Sequence, residues 1–231
     1  MQENIYSFVV SNFKFHIMNR EDYSYSIASN LLQIGAIKFN FKDYFTWTSG
    51  LKSPVYCDNR ASLSFVKIRS LIKDAYIQVI QEKFPDVEVI AGVATGAIAQ
   101  GALVADKLGL SFVYVRSNTK DCGLKKVIEG EIHEGQKTVI IEDHVSTGQS
   151  SLKVLEELRK AGVDVLGMVA IFSYELPVAE KSFHENSCDL YTLSTFSILK
   201  KIALKEGYIT KEELNKLNEW HEDMKMDVMR R

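Results

Sequence analysis

Two carboxylates, Glu142 and Asp143, close the apolar run Val139-Ile140-Ile141, and His144, Val145, Ser146, Thr147, Gly148, Gln149, Ser150 and Ser151 follow at once. Acids at the end of a greasy run are costly unless something there needs them, because a desolvated charge must be paired. The residues behind them are small and rich in hydroxyls, and a helix is expected to start at Ser150. A loop that feeds a helix offers free backbone N–H groups and the positive end of the helix dipole, and Gly148 lets the backbone approach a ligand closely. That is an anion cradle, to which Thr147, Ser150 and Ser151 add hydroxyl donors. Two acids beside it would repel a bare polyphosphate. They would accept hydrogen bonds from neighbouring hydroxyls next to a single phosphate. A ribose 5-phosphate has this layout, with its phosphate in the loop and its 2′- and 3′-hydroxyls on Glu142 and Asp143. Each charge-assisted bond is worth roughly 1.5–3 kcal/mol, and the same carboxylates would stabilise positive charge growing on the ribose ring. Taken singly, each acid reads equally well as a polar strand end and Ser150 as a helix cap; the string as a whole does not.

A second group of residues could handle charge. After the apolar "SFVYV", the stretch "RSNTKDCGLKKVIEG" carries Arg116, Lys120, Lys125 and Lys126, with Gly123 and Gly130 as flexible points. It has no hydrophobic periodicity to hold it on a core, so it is expected to move. A basic loop beside a ribose-phosphate site suits closure over pyrophosphate; a solvated surface loop is the plainer alternative.

These groups need a scaffold. Ser24 to Lys38 has Ile27, Leu31, Leu32 and Ile34 at helical spacing. "FKDYFTWTSGLKSPVYCD" reads as a hairpin, broken at Ser49-Gly50 and Pro54. A long amphipathic helix is expected from Ser64 to Phe84, with Phe65, Ile68, Leu71, Ile72, Ala75, Tyr76, Val79 and Ile80 on its apolar face. From "VEVIAGVA" onward the pattern alternates: strand, a small-residue helix from Ala97 to Leu108, strand "SFVYVR", strand "TVIIED". A helix from Ser150 to Ala161, with Leu152, Leu155 and Leu158 inside, then leads to strand "VDVLGMVAIFSY". Such alternation means right-handed crossovers and a mostly parallel sheet flanked by helices. In such sheets ligands sit beyond the carboxyl ends of the strands, where the acid pair is placed. "CDLYTLST" adds a strand, and Thr210 with Glu213 has capping-box spacing ahead of the last helix.

Composition narrows the class. The chain has 231 residues, 46% hydrophobic, 25% charged and a net charge of -2. That supports one domain with a substantial core and gives no basic surface for nucleic acid. Cys57, Cys122 and Cys188 are far apart and form no CxxC pair, so neither a disulfide framework nor a zinc site is expected, and a reducing cytoplasm is. No stretch reaches the roughly 18 apolar residues of a membrane span. Residues 1–20 read as an extension, with Met18 an alternative start, and 21–231 as one domain. No GxxxxGK[ST] is present, and Gly92, Gly96 and Gly101 have the wrong spacing for a dinucleotide fingerprint.

"VIIEDHVSTGQSS" resembles the phosphoribosyl-pyrophosphate (PRPP) motif of the type I phosphoribosyltransferases. "FTWTSGLKSPVYCDNR", "GVATGAIAQGALVADKLGLSFVYVRS" and "KDCGLKKVIEG" are similar, in order, to the hood, the pyrophosphate-side loop and the catalytic loop of the orotate-specific branch. The resemblance runs from about Ser24 to the C-terminus, and "TSGLKSPVYCDNR" is its most specific part. It implies an α/β fold with a mostly parallel central sheet and a small N-terminal hood, about 21–62. It also implies transfer of the 5-phosphoribosyl group from PRPP to orotate in de novo pyrimidine biosynthesis. Its match assigns PRPP to Arg116, Lys120, Cys122, Glu142, Asp143, His144, Val145, Ser146, Thr147, Gly148, Gln149 and Ser150. Arg116, Lys120 and Asp143 are the expected catalytic residues, and Ser146 the base-contacting hydroxyl. Mg²⁺ is expected on PRPP oxygens and water with no protein ligand. A homodimer is implied, its 116–130 loop reaching the partner's site. His144 is expected to act through its backbone, since relatives are apolar there. The chain departs from the pattern at Cys122, where histidine is usual, at "ATGAIA", which lacks a lysine, and at Thr48, where Lys52 is the nearby substitute. Tyr174 stands where some relatives carry an arginine for the orotate carboxylate. A carboxylate favours a guanidinium fork, so Arg60 is assigned that role, a structural ion pair being the alternative. A purine phosphoribosyltransferase and a PRPP-sensing nucleic-acid regulator are the rival readings.

Overall fold

The structure, a computed structural model, describes residues 20–47, 50–116 and 127–229. Residues 1–19 of the expected 1–20 extension, Thr48, and the basic residues Lys120, Lys125 and Lys126 with Cys122 lie outside them.

Helix α1 (Arg20–Gln33) leads to strand β1 (Ile37–Phe39). The helix expected to reach Lys38 therefore stops five residues short. The cause is local: Gly35 takes φ 68°, its N–H bonds the Leu32 carbonyl and the Ala36 N–H bonds that of Leu31. This paired closure ends a helix in a left-handed residue, a conformation that glycine adopts without strain. Strands β2 (Phe45–Thr46) and β3 (Lys52–Ser53) form the expected hairpin, and β4 (Val55–Cys57) returns to pair with β1. A 3-10 helix (Asn59–Ser64) then delivers the chain to α2 (Val66–Lys83). Phe65, expected on the apolar face, precedes α2 as its cap and is exposed. Ile68, Ile72, Ala75, Tyr76, Val79 and Ile80 are buried as the periodicity demands.

The remaining strands build one sheet. They are β5 (Val89–Val93), β6 (Ser111–Val115), β7 (Ile128–Glu129), β8 (Lys137–Val145), β9 (Asp164–Ser173) and β10 (Leu190–Thr195), in the order β10-β9-β8-β5-β6-β7. All neighbours are parallel except β6 and β7. Strand β7 comes from the stretch read as loop; it is two residues long, too short for a periodicity to register. Every residue of β5 is buried, as a sheet covered on both faces requires. From β5 the chain passes through α3 (Ile98–Leu108) to β6, and from β8 through α4 (Gln149–Lys160) to β9 on the other side. The two crossovers leave adjacent strands in opposite directions, so their carboxyl ends flank a topological switch point. Helices α5 (Pro177–Glu185), α6 (Phe196–Lys205) and α7 (Lys211–Met229) complete the fold. The Thr210 capping box forms: its hydroxyl accepts the Glu213 N–H at 3.2 Å, and the Glu213 carboxylate accepts the Thr210 N–H at 2.8 Å. Among the described residues no helix is long and apolar enough to cross a membrane.

Helix α4 differs from its expected face. Ser151, Val154, Leu155 and Leu158 are buried, whereas Leu152 is half-buried. Helix α3 shows why its sequence is rich in small residues. A Cβ on Gly101 would lie 2.7 Å from the Phe112 ring and 3.5 Å from the Gly92 Cα, so α3 approaches β5 and β6 as closely as glycine allows. Gly101→Ala is expected to overpack this contact and lower stability by about 1–2 kcal/mol. Urea unfolding of the variant would show it, and an unchanged midpoint would mean that the Phe112 ring moves aside freely.

Candidate active site

Strand β8 outruns its neighbour. Its pairing with β5 stops at Ile141 opposite Gly92, so the next residues lack a strand partner on that side. Buried backbone groups must still be satisfied, and side chains do it, one from Glu142 itself and two from distant segments. The Glu142 carboxylate accepts the Asp143 N–H at 2.9 Å, and Asn59 Nδ2 donates to the Asp143 carbonyl at 2.9 Å. The Tyr76 hydroxyl donates to the Glu142 carbonyl at 2.6 Å. Asn59 is placed by Cys57, whose thiol donates to Asn59 Oδ1 at 3.1 Å. Both acids are thereby held at the switch point, 5% and 8% exposed.

Their carboxylates have different surroundings. Glu142 faces α4, where Ser151 Oγ donates to its Oε2 at 2.7 Å. Burial first, and the charge of Asp143 second, push the Glu142 carboxyl up to about 7, against the bonds from Ser151 and the Asp143 N–H. Asp143 faces the turn before α3. A Cβ on Gly96 would lie 2.6 Å from its carboxyl carbon, so glycine is what makes room for this carboxylate. His144 sets its ring Nδ1 against Asp143 Oδ1. Burial lowers the His144 pKa, but the Asp143 contact and the two acids outweigh it, and the net shift is upward.

Ser151, assigned to a bound anion, is 1% exposed and turned to Glu142. Val145 is buried and offers a ligand only its backbone, whose carbonyl already accepts the Tyr174 N–H at 3.0 Å.

Ser146, Thr147 and Gly148 carry the chain from β8 into α4, which begins at Gln149. Gly148 caps α4 at φ 81°, where a side chain would be strained and a Cβ would meet the Phe183 ring at 3.0 Å. No side chain caps the helix and no acid stands in its first turn. Ser146 and Thr147 are half-buried, and Gln149 and Ser150 are exposed.

The remaining assigned residues surround this centre. Arg116 follows β6, with Nη2 3.2 Å from Glu129 and its guanidinium over the Tyr114 ring. Lys52 lies in the hairpin, its Nζ donating to Thr46 Oγ1 at 2.7 Å. Arg60 forks the Asp58 carboxylate through bonds of 2.6 and 2.9 Å. The Arg60 bond holds the Asp58 carboxyl below its usual range, and the Arg60 charge also acts on His144. An incoming carboxylate would have to share that fork with Asp58. Asn59, Tyr76 and Gly96 were not read from the sequence as site residues.

An uncapped helix N-terminus beside a buried acid pair can hold a phosphate and a diol together. The comparisons agree with that chemistry. Residues 59–206 match the model of the phosphoribosyl transferase domain. The chain is 54% identical over 194 residues to the orotate phosphoribosyltransferase of Porphyromonas gingivalis, covering 84% of this chain and 92% of that protein. It is 51% identical over 196 residues to the enzyme of the same name from Bacteroides fragilis, covering 85% and 92%. The crystal structure of orotate phosphoribosyltransferase from Aeropyrum pernix superposes with a TM-score of 0.69 at 27% identity, covering 80% of this chain and 99% of that one.

Proposed function

The chain belongs to the orotate phosphoribosyltransferases, and from that premise we propose how its residues share the reaction. The enzyme transfers the 5-phosphoribosyl group of PRPP to orotate, releasing pyrophosphate and forming orotidine 5′-phosphate, a step of pyrimidine biosynthesis. One observation supports the assignment of roles most strongly: the acid pair and the uncapped α4 N-terminus meet at the switch point between β5 and β8.

The backbone from Ser146 to Ser150 takes the 5-phosphate. Asp143, which faces the Gly96 turn, is the first acceptor for the ribose hydroxyls. Glu142 joins it by turning from Ser151. As the bond between C1 and pyrophosphate lengthens, positive charge spreads over the ribose ring, and a fixed carboxylate in a water-poor site lowers that barrier. Orotate is an anion through its carboxylate, and its N1 proton passes to water or to the departing pyrophosphate as the C1–N1 bond forms. Arg116 and Lys120 are assigned to the charge leaving with pyrophosphate, with Cys122 beside Lys120 in the same loop. Ser146, Lys52 and Arg60 are assigned to orotate. Among the described residues no cluster of three or more acids, histidines or cysteines could hold a metal. A Mg²⁺ ion carried on PRPP oxygens and water would neutralise phosphate charge. A homodimer whose 116–130 loops reach across belongs to the same proposal, as does a reducing compartment, since the Cys57 thiol is used as a hydrogen-bond donor.

The primary test is loss of orotate absorbance with PRPP and Mg²⁺, run beside adenine, guanine and xanthine. Turnover of a purine but not of orotate would sink the assignment. For Arg60→Ala, KM for orotate is expected to rise about tenfold, the worth of one charged hydrogen bond, with KM for PRPP unchanged. An unchanged orotate KM would leave Arg60 as the partner of Asp58 alone.

A further inference from the structure

The chain has two tryptophans, and both lie in one aromatic cluster beside the acid pair. Trp47, next to β2, packs its ring 4.7 Å from Tyr174 and 6.0 Å from Trp220, while its Nε1 donates to the Val55 carbonyl at 3.3 Å. Tyr174 follows β9, is 2% exposed, and presents its ring edge to His144 at 6.4 Å. His144 in turn lies against Asp143. Helix α7 closes the cluster with two consecutive residues. Trp220 Nε1 donates to the Lys52 carbonyl at 3.0 Å, across 168 residues of chain. His221 Nε2 lies 2.7 Å from the Tyr174 carbonyl, and its ring sits 4.8 Å from Phe196. Both are buried, 7% and 3% exposed.

These contacts form a clamp. The β2–β3 hairpin is short, with two residues in each strand, and among the described residues it pairs with no other strand. Two-stranded hairpins are marginal by themselves in water, so the position of this one is set by what it rests on. It rests on Trp220 through the Lys52 backbone and on Tyr174 through Trp47. His221 fixes the carbonyl of the same Tyr174. We infer that Trp220 and His221 are positioning residues for the orotate side of the site, holding the Lys52 hairpin and Tyr174 in register with Asp143. This rests on the assignment of Lys52 to orotate made above. Neither residue need touch a substrate; α7 acts through the hairpin and the strand end.

Trp220→Phe tests it, because phenylalanine keeps one ring in the cluster and removes the N–H that holds Lys52, together with the second ring of the indole. KM for orotate is expected to rise about five- to twentyfold, with kcat and KM for PRPP within twofold of wild type. The variant leaves Trp47 as the single tryptophan. Its emission is expected to shift to the red and to be quenched more readily by iodide. His221→Leu is expected to raise KM for orotate in the same selective way, and His221→Gln, which can still bond the Tyr174 carbonyl, to restore it. If Trp220→Phe does not fold, the His221 pair decides. Unchanged orotate KM in folded variants, a parallel rise in both KM values, or unchanged Trp47 quenching overturns the inference. Wild-type protein that consumes no orotate would instead sink the assigned reaction, while the Trp47 emission would still report whether α7 holds the hairpin.

Discussion

Asp143→Asn is expected to lower kcat/KM for PRPP by about 100- to 1000-fold while leaving the unfolding midpoint nearly unchanged. Asparagine has the same shape. The bond from Asn59 goes to the Asp143 backbone carbonyl and survives the change. The lost quantity is the negative charge, which is needed where positive charge develops on the ribose. The same carboxylate can be attacked from the opposite side. In Gly96→Ala the new Cβ would lie 2.6 Å from the Asp143 carboxyl carbon. Asp143 has a short side chain with little freedom to retreat, and Asn59 pins its backbone, so the carboxylate must rotate out of the crevice. Gly96→Ala is therefore expected to reproduce most of the Asp143→Asn loss with the charge still present. Steady-state kinetics with PRPP varied would check both. If Asp143→Asn retains kcat/KM within threefold, the ribose contact lies elsewhere. If only Gly96→Ala is active, the turn has room that its present geometry does not show.

The parts of this site that were legible in the sequence are those whose physics is local. An apolar run ending in two acids, then Ser146 to Ser150 with Gly148 among them, lies within the twelve residues Val139 to Ser150, although β8 itself runs on to Val145. The α7 capping box is likewise complete within Thr210 to Glu213. What escaped depends on partners distant in the chain. Tyr76 looked like one more apolar position of α2, yet its hydroxyl serves Glu142, 66 residues away. Asn59 serves Asp143 across 84 residues. Whether either has a job depends on where β5 stops alongside β8, and that is a property of the sheet. Ser151 shows the same limit at short range. Its position inside the first turn of α4 turns it toward the strand, and only the helix start at Gln149 decides that. Gly35 carries a stop signal that can be read locally, but the strand beyond it hides behind the same aliphatic residues that continue a helical pattern.

Glu142→Gln is expected to stabilise the free enzyme by about 3 kcal/mol at pH 8 and to weaken its catalysis. The folded state raises the Glu142 carboxyl from 4.5 to about 7, so the folded chain holds a proton that the unfolded chain has released. Stability then falls as pH rises between those values. The contribution of the neutral acid is complete below about pH 4.5 and gone above about pH 7, and a shift of this size amounts to about 3 kcal/mol. His144 works in the same direction: its raised pKa favours the fold in acid, and that contribution is lost as pH climbs through the folded-state value. The substituted amide would carry no charge at any pH. Its oxygen can accept the Asp143 N–H, and its nitrogen can donate to Ser151, whose hydroxyl turns to accept. Thermal unfolding should therefore match wild type at about pH 4 and separate from it by pH 8, a gain of about 6–12 °C in Tm for a chain of this size. The variant should bind PRPP less well at pH 8, because the charge that destabilises the empty fold is the charge a ribose hydroxyl would use. A functional site that is costly to the free protein is a common reason for such a trade. Equal pH slopes in the two proteins would mean that Glu142 enters the fold already ionised, and the proton taken up on folding would belong to His144 or to another group.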